Sequence, residues 1–299
     1  MTARDWAMLL ALSVLWGGSF FFVGVAVRDW PPLAIVLSRV GIAALDLWGA
    51  VAALRLPVRR DGPALRAALG MGVLNNLLPF ALIAWAQAGG LPSGVASILN
   101  ATTPLWAVLV AHAAGAERAT APRLAGAALG FAGVAAMVGA DLRAGLAGHG
   151  LAAGAVLLAT LGYALAGVFG RRFRALGIPP LAAAAWQTTA ATLLLLPPLL
   201  LVEPVWRLPE PSGATLASLA GLGLLSTALA YLLYFRLLAT AGPVNLLLVT
   251  LLIPVSAGLL GVALLGESLA PRHALGMAAI AAGLALIDGR LPRWWRAAA

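Results

Sequence analysis

The sequence predicts an all-α membrane protein with ten transmembrane helices in two inverted five-helix repeats. Three observations carry this prediction: an apolar composition, ten apolar runs, and a recurrence at a fixed offset. Of the 299 residues, 62% are hydrophobic and 10% are charged, and the mean hydropathy is +0.99. A soluble domain carries roughly 25% charged residues, so we expect this chain to be solvated by lipid.

Ten runs are long enough, or nearly so, to form the membrane helix of about 20 mainly apolar residues. Proline, glycine and charged residues separate them. The expected spans are residues 5–27, 33–54, 66–88, 93–114, 122–140, 151–172, 180–201, 213–237, 244–265 and 272–288. The first run exceeds the ~7–15 residues of a signal-peptide core, so we interpret it as a retained helix.

The arginines predict the orientation. All 19 basic residues are arginine. If the N-terminus is cytoplasmic, the cytoplasmic segments hold Arg4, Arg55, Arg59, Arg60, Arg66, Arg118, Arg123, Arg171, Arg172, Arg174, Arg236, Arg290, Arg293 and Arg296. The opposite side holds Arg28, Arg143, Arg207 and Arg272. Because cytoplasmic loops are enriched in basic residues, we expect a multi-pass bacterial inner-membrane protein with both termini in the cytoplasm.

A repeat relates the two halves of the chain. Three pairs recur at an offset of 150 residues: Pro104 and Pro254, Glu117 and Glu267, and Gly126 and Gly276. We therefore predict two repeats of five helices each, at 1–146 and 147–299. Since five is odd, the second repeat enters the membrane in the opposite orientation. Inverted repeats are common in transporters, whose substrate site lies near the midplane between the halves.

The same stretches carry a family resemblance. They are Leu15-Trp16-Gly17-Gly18-Ser19-Phe20, Ser38-Arg39, and the repeated Pro104…Glu117…Gly126 and Pro254…Glu267…Gly276. With these motifs in this order, the chain resembles the drug/metabolite transporter superfamily in its EamA-type ten-helix branch. The resemblance covers the whole chain and extends to bacterial exporters of amino acids, including aromatic ones. It implies alternating access and export of amino acids or related metabolites.

Polar and aromatic side chains follow helical spacing on several spans and indicate a central cavity for a small-molecule substrate. The substrate-binding candidates are Trp16, Ser19, Phe20, Asn76, Pro79, Phe80, Ser97, Asn100, Thr103, Tyr163, Thr227, Tyr231, Tyr234 and Thr250. Hydroxyls and small residues are also the usual material of contacts between membrane helices. Each candidate therefore has a packing interpretation beside the functional one.

Two charges lie within the second span. Arg39 is interpreted either as a contact for a substrate carboxylate or gate, or as a structural tie to backbone carbonyls or the interface. Asp46 is either a carrier of a coupling proton or a hydrogen-bonded packing residue. Charge within a membrane helix is costly, which is why both stand out.

Pro104 and Pro254 are expected to lie inside their spans and to kink them. Such kinks would serve as hinges or as static curvature around a cavity. Glu117 and Glu267 are expected to begin the helix that follows each of them, where a carboxylate favours the helix dipole. The tail at 292–296 is either an interfacial anchor or an ordinary chain end.

Other classes of protein fit the sequence less well. With no cysteine, no HExxH motif and three separated histidines, we expect neither an enzyme nor a metal or other cofactor. The expected partners are a small-molecule substrate and the lipid bilayer, without nucleic acid, and proton coupling is left open. A multidrug or nucleotide-sugar-like carrier of the same superfamily is the alternative. A passive channel gives the inverted repeat less purpose.

Overall fold

Helices joined by short loops make up the protein. The structure, a computed structural model, describes residues 2–115, 119–143, 149–246, 248–268 and 270–287, and no strand occurs within these ranges. The helices are α1 (Ala3–Ala26), α2 (Pro32–Ala53), α3 (Gly62–Ala88), α4 (Ser93–Ala113), α5 (Ala121–Arg143), α6 (Gly150–Ala175), α7 (Pro180–Val202), α8 (Gly213–Ala241, helical to Leu246), α9 (Leu248–Leu265) and α10 (Pro271–Ile287).

Seven of the described helices, α1 to α4 and α6 to α8, are long and apolar enough to cross a membrane. This confirms the prediction of a helical membrane protein with several spans. Helices α5, α9 and α10 coincide with predicted spans but are not among the seven. Ten spans therefore stays a prediction.

Short-range sequence signals set several helix ends. Thr2 and Asp5 form a capping box at the start of α1, in which each side chain satisfies a backbone N–H that the first turn leaves unpaired. Asp61 and Ser212 cap α3 and α8 with a single bond each, their side chains accepting from the backbone nitrogens of Ala64 and Thr215. Gly266 ends α9 with a φ of 68°, a left-handed conformation that glycine adopts without steric penalty.

The helices alternate in direction and so define two ends of the bundle. The near end is where α1 begins, and the far end is where α1 finishes. At the near end, Thr240 of α8 donates to Asp5 at 2.9 Å. At the far end, Asp29 after α1 accepts hydrogen bonds from Ser212 and Thr215 at the start of α8. Helix α8 therefore runs antiparallel to α1.

Carboxylates from the second half of the chain hold two helix starts of the first half at the far end. Glu203 follows α7 and accepts from the backbone nitrogens of Leu33 and Ala34, at 3.3 and 3.0 Å. Glu267 follows α9 and accepts from Ser93 and Gly94 at the start of α4. The expectation that Glu267 begins the next helix is wrong, since its carboxylate caps a helix 174 residues earlier in the chain.

The helices pack in related pairs. Helix α2 lies along α7, α5 along α10, and α4 along α9. Helix α1 contacts α8 and α9, α6 contacts α3 and α4, α2 contacts α8, and α3 contacts α7. The most extensive interfaces therefore place one helix of the first half against one of the second.

Glycines permit the closest of these approaches. A Cβ built on Gly126 of α5 would lie 2.5 Å from the carbonyl oxygen of Gly283 on α10. Small residues allow membrane helices to associate through backbone contacts. The glycine-rich stretch around 126–130 therefore has the packing role that its composition predicts.

Two π-helical segments interrupt α3 and α8, at Gly72–Leu77 and Gly221–Leu229. Each begins at a glycine that follows a stretch of ordinary α-helix, Gly62–Met71 in α3 and Gly213–Ala220 in α8. Such segments widen the helix by one residue per turn and are frequent at functional sites. These two carry Asn75, Asn76 and Thr227, which belong to the candidate site.

Candidate functional site

Arg39 lies in the interior of the bundle, on an otherwise apolar stretch of α2. Its side chain is 8% exposed. A charge at the centre of a membrane helix is unfavourable by about 2.5–3.5 kcal/mol on insertion scales. The groups around the guanidinium must therefore compensate for the water that it has lost.

Hydroxyl groups supply the hydrogen bonds of Arg39. Its Nε donates to Oγ1 of Thr227 at 3.0 Å, and its Nη1 donates to Oγ of Ser19 at 3.5 Å, near the limit for a hydrogen bond. Thr227 in turn donates to the carbonyl of Leu222, at 2.8 Å, five residues earlier in the π-helical segment. The interpretation of Arg39 as a tie to backbone carbonyls is wrong, because these partners are side chains of α1 and α8.

Aromatic rings complete the surroundings of the guanidinium. The carbon Cζ of Arg39 lies 3.7 Å from the centroid of the Phe80 ring, and this cation–π contact contributes about 2 kcal/mol when desolvated. Tyr163 packs edge-on against Phe80, with ring centroids 6.5 Å apart. We call Ser19, Arg39, Phe80, Tyr163 and Thr227 the arginine cluster, and five different helices contribute to it.

A layer of amides and a phenol lies beside the arginine cluster. Asn75 Nδ2 donates to Oε1 of Gln187 at 3.1 Å and to the Tyr231 hydroxyl at 3.4 Å. The Asn76 carboxamide lies next to the same hydroxyl. We call Asn75, Asn76, Gln187 and Tyr231 the amide cluster.

The two clusters are one helical turn apart. Asn76 precedes Phe80 by four residues on α3, and Tyr231 follows Thr227 by four on the antiparallel α8, so both steps lead toward the near end. One turn of helix rises about 5.4 Å. The Tyr231 hydroxyl is accordingly within electrostatic range of the Arg39 guanidinium.

Further aromatic rings border the amide cluster toward the near end. Trp16 and Tyr234 have ring centroids 5.6 Å apart, and Tyr234 packs against Phe235 at 5.2 Å. Tyr231 also contacts Phe235, at 6.2 Å. The structure therefore brings Trp16, Tyr231 and Tyr234 of the predicted set into one aromatic wall.

Toward the far end, polar contacts close the space above the arginine cluster. Gln87 Nε2 donates to the Phe20 carbonyl at 2.9 Å and to Oγ of Ser93 at 2.8 Å. Ser93 is the residue whose backbone nitrogen binds Glu267. Beyond this closure lies a pocket of 180 Å³ lined by Gly24, Arg28, Gln87, Gly90, Leu91, Pro92, Ser93, Leu265 and Glu267. Phe20, predicted as a cavity residue, contributes its carbonyl to this closure.

Other predicted residues have local roles. Ser97 is fully buried, and its hydroxyl donates to the carbonyl of Gly94 at 2.7 Å. Thr103 donates to the Asn100 carbonyl at 2.8 Å. Thr250 is half-buried on α9, and Pro79 is buried on α3 against the glycine face of α6 at Gly162.

The gating candidates differ from one another in position. Asp46 is exposed and has no hydrogen bond or ion pair among the described residues, so it is not the hydrogen-bonded packing residue considered from the sequence. Pro104 lies in the first turn of the segment Thr103–Ala113, after a break in α4 at residues 101–102. Pro254 lies inside the unbroken helix α9. The matching prolines therefore have different backbone surroundings, and Pro254 alone of the two lies within a continuous helix.

Sequence reasoning missed Asn75 and Gln187. Asn75 is adjacent to Asn76, and a helical-face argument assigned only one of the two to the interior. The π-helical segment turns both toward neighbouring helices. Gln187 is followed by Thr188 and Thr189, and this polar run within an apolar span was an available signal.

Several expectations concern residues outside the described ranges. Glu117 and the tail at 292–296 belong to these. Within the described ranges, no group of three or more histidine or acidic residues is placed to hold a metal ion.

The fold and the buried polar clusters define the class of the protein: a multi-pass membrane protein with an ionisable site in its interior. The sequence profile described as "EamA-like transporter family" matches residues 5–139 and again residues 150–288. The chain belongs to the EamA-like transporter family. It is therefore a membrane transport protein, as the resemblance implied.

Individual relatives cover nearly the whole chain. "Uncharacterized inner membrane transporter YedA" of Escherichia coli K12 is 28% identical over 93% of this chain and 89% of its own length. "Probable amino-acid metabolite efflux pump" of Salmonella typhimurium is 26% identical over 95% and 94%. "Probable terminal-alkyne amino-acid exporter" of Streptantibioticus cattleyicolor is 30% identical over 95% and 93%.

One chain of known crystal structure has the same fold. It superposes with a TM-score of 0.65 over 96% of this chain and 98% of its own length, at 20% identity. At that identity the likeness supports the helical architecture alone.

Proposed function

We propose that this protein is an inner-membrane exporter of amino acids or related small metabolites. It works by alternating access between two inverted five-helix repeats, residues 1–146 and 147–299, around the arginine and amide clusters. The observation that carries this proposal is the buried guanidinium of Arg39, which has no carboxylate partner among the described residues.

The chemistry of Arg39 favours an anionic ligand group. A guanidinium has five N–H donors, and the hydroxyls of Thr227 and Ser19 occupy two of them. The acidic partner of Arg59 is Asp61, at 2.7 Å in a loop, and no carboxylate lies at a comparable distance from Arg39 among the described residues. Arginine binds carboxylates in a planar, two-bonded geometry, so a substrate carboxylate would neutralise the charge at Arg39.

The relatives support amino acids as the substrate class. Two of them bear names that refer to the export of amino acids or their metabolites. A nucleotide-sugar-like substrate is disfavoured, because a phosphate-binding site needs several basic residues. Arg39 is the one buried arginine in the part of the chain that the structure describes.

The helix packing supports two inverted repeats. Exchanging α1–α5 with α6–α10 converts the α1–α9 contact into the α6–α4 contact, and the α3–α6 contact into the α8–α1 contact. The pairs α2–α7, α4–α9 and α5–α10 map onto themselves. The family profile also matches twice, once in each half.

The contacts at the far end indicate where access is closed. Asp29, Glu203 and Glu267 each join one half of the chain to a helix start in the other. By the arginine asymmetry, the far end faces away from the cytoplasm. We therefore propose that these bonds close the outer side and that export requires them to open.

Counterflow in proteoliposomes tests the function. We expect uptake of radiolabelled phenylalanine, methionine or threonine against the unlabelled amino acid. Arg39→Gln should abolish this uptake, whereas Arg236→Gln, an exposed arginine outside both clusters, should retain it. If folded protein transports none of the three, the amino-acid assignment is wrong.

Cysteine labelling tests the orientation. The chain contains no cysteine, so single cysteines can be introduced without background. Glu210→Cys in a far-end loop should react with a membrane-impermeant maleimide in intact cells. Pro57→Cys in a near-end loop should react only after permeabilisation, and the reverse pattern would overturn cytoplasmic termini.

A further inference from the structure

The Asn76 side chain is buried, and neither of its polar atoms makes a hydrogen bond to the described part of the chain. It is 0% exposed, and neither its Nδ2 nor its Oδ1 has a partner within hydrogen-bond geometry among the described residues. An unsatisfied buried amide is unfavourable, and native proteins rarely keep one without a reason such as an absent water or ligand. Asn76 also lies in a π-helical segment, a feature common at functional sites.

The position of Asn76 relative to Arg39 suggests what would satisfy it. Phe80, one turn further along α3, stacks on the guanidinium at 3.7 Å. A ligand that places its carboxylate on Arg39 would therefore hold the atoms next to that carboxylate close to Asn76. In an α-amino acid, the ammonium group is bonded to the carbon adjacent to the carboxylate.

The acceptors available one turn from Arg39 are neutral oxygens. Asn75 uses its nitrogen for Gln187 and Tyr231, and Gln187 Oε1 accepts from Asn75. Oδ1 of Asn76 and the Tyr231 hydroxyl beside it remain as oxygen acceptors for an added donor. The clusters contain no carboxylate, so the ammonium group of such a ligand would be bound by neutral oxygens while the ligand's own carboxylate faces Arg39.

We infer that Asn76 and Tyr231 form the subsite that binds the ammonium group of an α-amino acid whose carboxylate is held by Arg39. This inference rests on the proposed function. It explains why an amide is buried without a hydrogen-bond partner among the described residues, and it makes these two residues determinants of specificity. The site selects zwitterions and discriminates against acids that lack the amine.

Paired ligands test the subsite directly. The probes are phenylalanine with 3-phenylpropanoate, and methionine with 4-(methylthio)butanoate; the second member of each pair lacks only the amine. Binding to the purified protein is followed by tryptophan fluorescence, since Trp16 borders the clusters. Asn76→Leu should weaken the binding of the amino acid by about tenfold or more, as expected for a lost charge-assisted hydrogen bond. The affinity for the deaminated acid should change by less than about twofold. Tyr231→Phe should act in the same direction with a smaller effect.

Two variants bracket these results. Arg39→Gln should weaken the binding of both members of each pair to the same extent, because it removes the contact to the carboxylate. Thr192→Val removes a hydroxyl that donates to the Thr188 carbonyl on α7, outside both clusters, and should alter neither ligand.

The outcomes separate the subsite from the proposed function. If the unsubstituted protein binds neither phenylalanine nor methionine, the proposed function fails and the subsite with it. If the protein binds them but Asn76→Leu lowers the affinity for both members of a pair equally, or for neither, the subsite alone is overturned. Asn76 is then a packing residue whose amide a buried water satisfies.

Discussion

The carboxylate of Glu267 accepts hydrogen bonds from the backbone nitrogens of Ser93 and Gly94, at 2.7 and 3.1 Å. A loop after α9 thus caps the first turn of α4. Ser93 also accepts a bond from Gln87, whose amide holds the Phe20 carbonyl. One carboxylate therefore connects the far-end loop to α1, α3 and α4 just outside the arginine cluster.

Replacing Glu267 by glutamine should destabilise this connection. The negative charge at the helix start is lost, and an NH2 group that cannot accept a hydrogen bond replaces one of the two carboxylate oxygens. Together these changes should lower the free energy of unfolding by about 1–2 kcal/mol. We expect a lower midpoint of thermal denaturation in detergent, together with faster maleimide labelling of a cysteine placed at Ser97. Glu210→Gln, in an exposed loop, is the control. Equal midpoints and labelling rates in both variants would contradict this role of Glu267.

Phe80 should contribute to substrate affinity through Arg39. Phe80→Leu removes the ring that stacks on the guanidinium and leaves its position less defined. A loss of about 1.4 kcal/mol, within the range of a desolvated cation–π contact, corresponds to tenfold weaker binding. Phe131→Leu is matched, because it removes a ring that packs on Trp106, with centroids 4.7 Å apart, and not on Arg39. Binding titrations should separate the two; equal affinities would show that the stacking is without consequence for the ligand.

Acid should weaken the contact between Asp29 and the start of α8. Hydrogen bonds from Ser212 and then Thr215 lower the pKa of the Asp29 carboxyl from its ordinary value of 3.8. A group whose pKa is lower in the folded state stabilises that state above its unfolded pKa, and this contribution is lost as the pH falls through the lowered value. Thermal midpoints measured between pH 7 and pH 3 should therefore drop below about pH 4 in the native chain.

The Asp29→Asn variant should lack part of this acid sensitivity and be less stable at pH 7. Some sensitivity should persist, because the hydrogen bond from Arg59 likewise lowers the pKa of Asp61. Identical pH profiles for the native chain and the variant would exclude a contribution from Asp29.

The interface between α5 and α10 should not accept larger side chains. A Cβ on Gly283 would meet the backbone of Gly126 and Gly130, whereas one on Gly154 would meet nothing within 4 Å. Gly283→Val should destabilise the protein by about 1–3 kcal/mol, the usual range for overpacking. Gly154→Val should have little effect. The comparison requires only midpoints of thermal denaturation. Similar midpoints for the two variants would contradict the close packing of α5 against α10.

The agreement between sequence and structure is best at the level of helices. Apolar runs bounded by proline, glycine and charge predicted each of the helices α1 to α10, because in lipid a helix satisfies its own backbone. The predicted span 213–237 proved shorter than α8, because the helix continues to Leu246 and includes Gly242 and Pro243, which normally end a helix. Among the candidates spaced three or four residues apart, Trp16, Ser19, Phe80, Tyr163, Thr227 and Tyr231 converge, whereas Ser97 and Thr103 bond to their own helix turns. Their role in substrate binding stays a prediction.

The sequence by itself determined that the chain is a helical membrane protein, that its halves are related at an offset of 150 residues, and that Arg39 is an exceptional charge within an apolar span. Composition and periodicity are local properties, and whether a segment enters the lipid depends on the apolar character of its own residues. Only the tertiary structure decided which groups meet. It placed Glu267 on α4, Asp46 at an exposed position, and Arg39 between Thr227 and Phe80. These contacts depend on how the helices pack and on where their π-helical segments shift the register, which no single span encodes.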